Sequence, residues 1–173
     1  MLRPDPKVLG GAAALVIGLA ASIAVTFEGS PATSYLDRLP LTPTPTACQG
    51  HTGPDVEVGQ VYSAAQCAAW FQADMLVANS TVRRCYPVDM PPSIEAAITD
   101  LAFNVGPGGK GVKDGVCELR SGAQPKIRQL AHQRRWSAVC EQFQYWAKAG
   151  GRVLAGLVRR RAAERDLCLR GVP

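Results

Sequence analysis

Twenty consecutive residues, Val8 to Phe27, carry no charge, and Glu28 follows them directly. A stretch of about 20 residues rising roughly 1.5 Å each is long enough to cross a hydrocarbon core of about 30 Å, so its length fits a membrane helix. Its hydrophobicity is poor. Nine positions (Val8, Leu9, Leu15, Val16, Ile17, Leu19, Ile23, Val25, Phe27) are strongly apolar, worth together roughly −3 to −5 kcal/mol on the insertion scale. The other eleven are Gly, Ala, Ser or Thr. Such a segment is expected to insert, with a hold weak enough for the chain to leave the membrane later. Arg3 and Lys7 precede it with only Asp5 opposing them, which places the N-terminus in the cytoplasm and everything after Phe27 outside. Two other readings compete. A basic start, an apolar centre and small residues near Ser22-Ile23-Ala24 also suit a cleaved secretory signal, although a cut after Ala24 leaves Glu28 only three residues behind a frayed new terminus. The stripe Gly10, Ala14, Gly18 and Ser22 is of the kind that packs membrane helices together.

The exported part, about 145 residues, suits one domain, so the chain divides into an N-terminal segment, 1–27, and a folded domain, 28–173. Six cysteines (Cys48, Cys67, Cys85, Cys117, Cys140, Cys168) all lie on the exported side, where three disulfides can form. Six cysteines allow fifteen pairings and sequence alone does not choose among them. Pairing nearest neighbours along the chain gives Cys48 with Cys67, Cys85 with Cys117 and Cys140 with Cys168. Zinc is disfavoured because no C-x-x-C pair exists and His51 and His132 stand apart from any close cysteine cluster.

Downstream of a proline-rich, extended or turning stretch, Leu39 to Thr46, the chain reads as short helices. Ser63 followed by Gln66 makes a capping box for a helix running to about Arg83. Pro92 and Ser93 start another, in which Ile94, Ala97, Ile98, Leu101, Ala102 and Val105 repeat at helical spacing until Gly106-Pro107-Gly108-Gly109 stops it. Shorter helices are expected over Pro125 to His132 and Ser137 to Trp146, with a last one from Arg152 to about Cys168. The class is α+β and mainly helical, with a small β element.

Glu28-Gly29, Asp37 nine positions after Glu28, and Thr46 five before His51 in Thr-Ala-Cys-Gln-Gly-His together resemble the catalytic site of phage-type lysozymes, the muramidase endolysins of glycoside hydrolase family twenty-four. Phe103-Asn104-Val105-Gly106 resembles that family's central helix end, Trp146-Ala-Lys-Ala-Gly-Gly its late tryptophan turn, and Leu157 to Cys168 its closing Arg-Arg-x-x-Glu-x-x-Leu-Cys helix. These motifs cover nearly all of Glu28 to Cys168. The chain departs from the pattern between Asp37 and His51, where it holds about three residues more than the family's usual spacing, within the proline-rich stretch.

The resemblance implies a two-lobed lysozyme-like domain that cuts the β-1,4 bond between N-acetylmuramic acid and N-acetylglucosamine in peptidoglycan, with no cofactor, no metal and no nucleic-acid partner. Breaking a glycosidic bond needs an acid to protonate the leaving oxygen and a second group to stabilise developing positive charge or activate water. Glu28 takes the acid role, Asp37 the charge-stabilising or water-assisting one, and Thr46 the water-holding one; Asn104 belongs to the sugar cleft. Such an acid stays protonated through partial burial in an apolar cleft while a wetter carboxylate stays ionised. The resemblance makes His51 a structural hydrogen-bonding group. Arg159, Arg160, Arg161 and Arg165 could hold anionic wall or lipid, yet a charge run on a helix is most often its solvated face. The net charge of +5 suits an acidic envelope.

A weak membrane segment ending at a catalytic acid is similar to the signal-arrest-release endolysins. It implies an enzyme held inactive at the host inner membrane and active in the periplasm once freed, for example when a holin or pinholin collapses the membrane potential. Some such enzymes use a cysteine in the membrane segment as a thiol switch; none lies between Val8 and Phe27, so release without thiol exchange is expected. Two alternatives stand beside hydrolysis: a lytic transglycosylase, which forms an anhydro-sugar without water, and a non-catalytic, membrane-anchored binder of cell wall.

Overall fold

The computed structural model describes residues 11–28, 33–37 and 43–173. Helix α1, Gly11–Phe27, covers most of the uncharged stretch; Val8 to Gly10 lie outside the described residues. Among the described residues no helix is long and apolar enough to cross a membrane. α1 instead packs on three helices of the folded domain: α2, Ala64–Cys85, α3, Pro92–Val105, and α6, Ala155–Leu169. Val16, Ala20, Ile23 and Ala24 are buried and belong to the same core as Ile94, Ala97, Ile98 and Leu101 of α3. The stripe Ala14, Gly18 and Ser22 faces outward, with nothing within 4 Å of where a Gly18 Cβ would stand.

α3 is the centre. Every residue from Ile94 to Ala102 is buried, the polar Glu95, Thr99 and Asp100 included. Gly106, at φ 76°, ends it in the left-handed region that favours glycine. α2 starts where its capping residue predicts, the Ser63 hydroxyl accepting from the Gln66 N–H at 3.1 Å. Three disulfides, Cys48–Cys67, Cys85–Cys117 and Cys140–Cys168, join the six cysteines as nearest neighbours along the chain.

Strands β1, Tyr35–Asp37, and β2, Thr44–Thr46, pair antiparallel with Tyr35 opposite Thr46, Leu36 opposite Pro45 and Asp37 opposite Thr44. Pro45 is tolerated because the sheet has only two strands and each is an edge. Ala47 and His51 then exchange backbone hydrogen bonds of 3.0 and 2.9 Å around the turn between them. A second, smaller cluster of Ala47, Cys48, Val56, Cys67 and Trp70 holds this lobe to the start of α2.

The C-terminal region departs from the sequence reading in two places. The helix expected over Ser137 to Trp146 is broken into α5, Trp136–Cys140, and a 3-10 turn, Phe143–Trp146. The Gln142 and Tyr145 N–H groups reach carbonyls three residues back, at 3.0 and 3.2 Å, which tightens the backbone out of the α form. The last helix begins at Ala155 rather than Arg152, because β3, Lys148–Ala149, pairs with β4, Arg152–Val153, across Gly150-Gly151. Those glycines sit at φ 56° and 77°, the two-residue turn whose twist matches that of a hairpin. The short helix α4, Lys126–His132, forms as expected.

Candidate active site

Glu28 is delivered by α1: its N–H bonds the Ala24 carbonyl at 2.8 Å, continuing the helix by one residue. Its Oε1 accepts a hydrogen bond from Nη1 of Arg160 on α6. Arg160 is 2% exposed and grips Asp100 of α3 with two parallel bonds, Nε to Oδ2 at 3.0 Å and Nη2 to Oδ1 at 2.9 Å. One planar guanidinium thus holds two carboxylates, the fork on Asp100 fixing its orientation and the remaining nitrogen fixing Glu28. Burial works against the charge of Arg160, but hydrogen bonds and charge from Asp100 and Glu28 outweigh it and raise its pKa. The expected apolar surrounding for the acid is here a buried ionic one. The other oxygen, Oε2, faces Gly50, where a Cβ would stand 3.5 Å from it; Gly50 itself sits at φ 82°. The Gly-His turn closes directly on the glutamate.

Asp37 and Thr46 come from the hairpin. Residues two apart on a strand share a face, so Tyr35 and Asp37 project together with their partners Thr46 and Thr44, while Leu36 and Pro45 take the other face. Asp37 and Thr46 are diagonal neighbours on one surface, typically about 7–8 Å apart between backbones. Thr46 is 4% exposed and donates from Oγ1 to the Thr44 carbonyl at 3.1 Å. Tyr35 shares this face; burial first, then the charges of Asp37 and Glu28, raise its pKa.

Asn104 stands one turn after Asp100 on α3, and its Oδ1 accepts from Nη2 of Arg161 at 2.7 Å. It lies beside the Arg160–Asp100 grip. Arg161 is 1% and Glu164 0% exposed. They approach to 3.2 Å, a charge contact without hydrogen-bond geometry that leaves both Glu164 oxygens unsatisfied. Burial pushes the Glu164 carboxyl well above the usual range; Arg161 opposes that and Asp100 adds to it. The reading of the arginine run as a solvated face is therefore corrected for Arg160 and Arg161. Arg159, exposed, and Arg165, whose side chain is 39% exposed and pairs at the surface with Glu141, Nη2 to Oε1 at 2.6 Å, fit that reading.

His51 serves the scaffold. Its Nδ1 lies 2.7 Å from Asp74 of α2 and its ring stacks on Trp70 with centroids 4.3 Å apart. Cys48, at φ 54°, binds the same turn to Cys67. Among the described residues no group of His, Cys, Asp and Glu is arranged to hold a metal.

Residues 25–164 match the Phage lysozyme family. The chain belongs to that family. It is 29% identical over 144 residues to the SAR-endolysin of Enterobacteria phage P21, covering 83% of this chain and 80% of the relative. Among solved structures it superposes on the active form of the P1 phage endolysin Lyz with a TM-score of 0.73 at 23% identity, covering 96% of this chain and 98% of the other. The secreted inactive form of the same P1 endolysin gives a TM-score of 0.56 at 24% identity, covering 95% and 97%.

Arg160 and Asp100, which hold Glu28 in place, are the members of this arrangement that sequence reasoning missed. A signal for Asp100 exists: it is the one carboxylate after the first turn of the Ile94-to-Val105 helix, and a charge on a buried face needs a partner.

Proposed function

We propose that this member of the Phage lysozyme family is an endolysin that hydrolyses the β-1,4 bond between N-acetylmuramic acid and N-acetylglucosamine. Glu28 is the general acid, Asp37 stabilises developing charge or assists water, Thr46 holds that water, and Asn104 lines the cleft. One observation carries the reading: Glu28, fixed by Arg160 on Oε1, faces with Oε2 the Gly50 turn that directly follows the hairpin carrying Asp37 and Thr46. The Arg160 contact occupies Oε1, which leaves Oε2, on the Gly50 side, as the oxygen to meet the leaving group. A carboxylate pair from separate elements is what acid-assisted glycoside cleavage requires.

The same reading includes control by a tether. While Val8 to Phe27 lies in the host inner membrane, α1 is unavailable to α3, and Glu28 is held from Arg160. Once the segment leaves, for instance on depolarisation by a holin or pinholin, α1 takes its place in the core and the periplasmic enzyme becomes active. Support comes from the burial of Val16, Ala20, Ile23 and Ala24 against α3 and from the SAR-endolysin relative of phage P21. All six cysteines are paired and none lies in α1, which favours release without thiol exchange; a requirement for reductant would overturn that.

Turbidity loss of outer-membrane-permeabilised Gram-negative cells tests the reading, comparing soluble and membrane fractions of the unaltered chain with Glu28→Gln. Lysis by the soluble unaltered chain alone is expected, with hydrated rather than anhydro products by mass. Activity in Glu28→Gln removes Glu28 as the acid, and activity in the membrane fraction removes the tether as a control.

A further inference from the structure

Tyr35 is 45% exposed, so the small lobe does not use its ring as core. Its strand partner Thr46 is 4% exposed and its neighbour Asp37 is half-buried. The backbone therefore sets one large aromatic, open to solvent, on the face that carries both hairpin members of the site. The phenol is also near enough to both Asp37 and Glu28 for their charges to act on it. Burial first, and then those charges, disfavour a phenolate, so the hydroxyl keeps its hydrogen and remains a donor. A half-open ring with a donor at its tip, on the hairpin face that also carries Asp37 and Thr46, matches a pyranose: an apolar ring face beside a rim of oxygens.

We infer that Tyr35 is a substrate-contacting residue of the Glu28–Asp37–Thr46 site, its ring packing on the sugar at the cleavage point and its O–H donating a hydrogen bond to that sugar. The inference rests on the catalytic reading above. It also separates Tyr35 from Leu36, which is exposed on the opposite face of the same strand and has no route to the carboxylates.

The test uses the full soluble chain with Tyr35→Phe, Tyr35→Ala and, as a control on the other face, Leu36→Ala. Lysis rates are read on permeabilised cells. Binding of a purified N-acetylglucosamine–N-acetylmuramic acid tetrasaccharide is read by calorimetry in a Glu28→Gln background, where nothing is cut. Tyr35→Phe, which keeps the ring and removes the donor, is expected to lower kcat/KM and tetrasaccharide affinity about tenfold, and Tyr35→Ala by about a hundredfold. Thermal midpoints are expected to stay within about 2 °C of the parent, as for a side chain outside the core. Leu36→Ala should leave the affinity unchanged. Unchanged affinity in Tyr35→Ala overturns the inference, as does a loss that appears only together with a lowered thermal midpoint. Retained lysis by Glu28→Gln on its own sinks the catalytic reading instead, while the calorimetry still decides whether Tyr35 touches the sugar.

Discussion

At the level of single residues, one guanidinium decides the geometry of the acid. Arg160 spends two nitrogens on Asp100 and one on Glu28, so a lysine there keeps the charge and loses the fork. Arg160→Lys is expected to fold and to lose lysis at least about tenfold, whereas Arg160→Met leaves Asp100 buried without its hydrogen-bonded cation and costs about 3–5 kcal/mol. Lysis rates and thermal midpoints of the two variants check this, and equal stability of both would contradict it. Glu164 is predicted to work against folding at neutral pH. Its carboxyl is raised by burial and by Asp100, so the folded state binds its proton more tightly than the unfolded chain does. Its contribution is therefore fully present below the ordinary carboxylate value and is lost as pH rises through the folded value. Glu164→Gln removes that loss. It should raise stability at pH 7 more than at pH 4 in denaturant titrations; a gain equal at both pH values would show that Glu164 does not titrate in this way. None of this was visible from the Arg159-Arg160-Arg161 run, since which arginines point inward depends on where α6 meets α3, a tertiary fact that spacing does not carry.

Among the elements, those with a local cause were legible and those with a distant cause were not. Ser63 capping α2, Gly106 ending α3 and the apolar periodicity of α3 were all written in short windows. So was the extended character of Thr44–Thr46 among its prolines. The β3–β4 hairpin was missed because the Gly150-Gly151 pair was read as part of a family turn rather than as the two-residue loop its positive φ values make. The proposed catalytic positions Glu28, Asp37 and Thr46 came from motif spacing, but their placement depends on packing. The hairpin carrying Thr46 is tied to α2 by Cys48–Cys67, 19 residues apart. On loop-closure grounds that bridge is worth about 3 kcal/mol. The double variant Cys48→Ala/Cys67→Ala is expected to lower the thermal midpoint by roughly 6–12 °C and to reduce lysis at temperatures well below the midpoint, because Thr46 is two residues from the lost bridge. Calorimetric scans and lysis assays at 20 °C check it. Full lysis at that temperature would show that the hairpin holds without the staple.

For the whole molecule, the proposed tether puts two demands on the one sequence of α1, and its two faces separate them. In the folded domain Val16, Ala20, Ile23 and Ala24 face the core, while Ala14, Gly18 and Ser22 are exposed. In a bilayer every face counts, because insertion sums over the whole segment. The small residues on the exposed face are therefore neutral for the fold and weaken the membrane hold, which is what a segment that must leave the bilayer requires. The two states can be perturbed independently. Ala14→Leu/Gly18→Leu/Ser22→Leu changes only positions open to solvent in the folded domain, and each leucine adds roughly 0.3–0.6 kcal/mol to membrane insertion. The triple variant is expected to keep normal lysis rates once extracted and refolded in solution, yet to stay in the membrane fraction and delay lysis of producing cells. Ala20→Leu provides the converse: it overfills the α1–α3 contact at a cost of about 1–3 kcal/mol, and it should reduce the activity of soluble protein by moving Glu28 relative to Arg160. Fractionation and lysis timing for the triple variant, set beside soluble activity for Ala20→Leu, read the two faces separately. If the triple variant is released and lyses on the parent's schedule, the membrane hold is not set by the summed apolarity of this segment, and control by weak insertion fails even where the enzyme itself is unaffected.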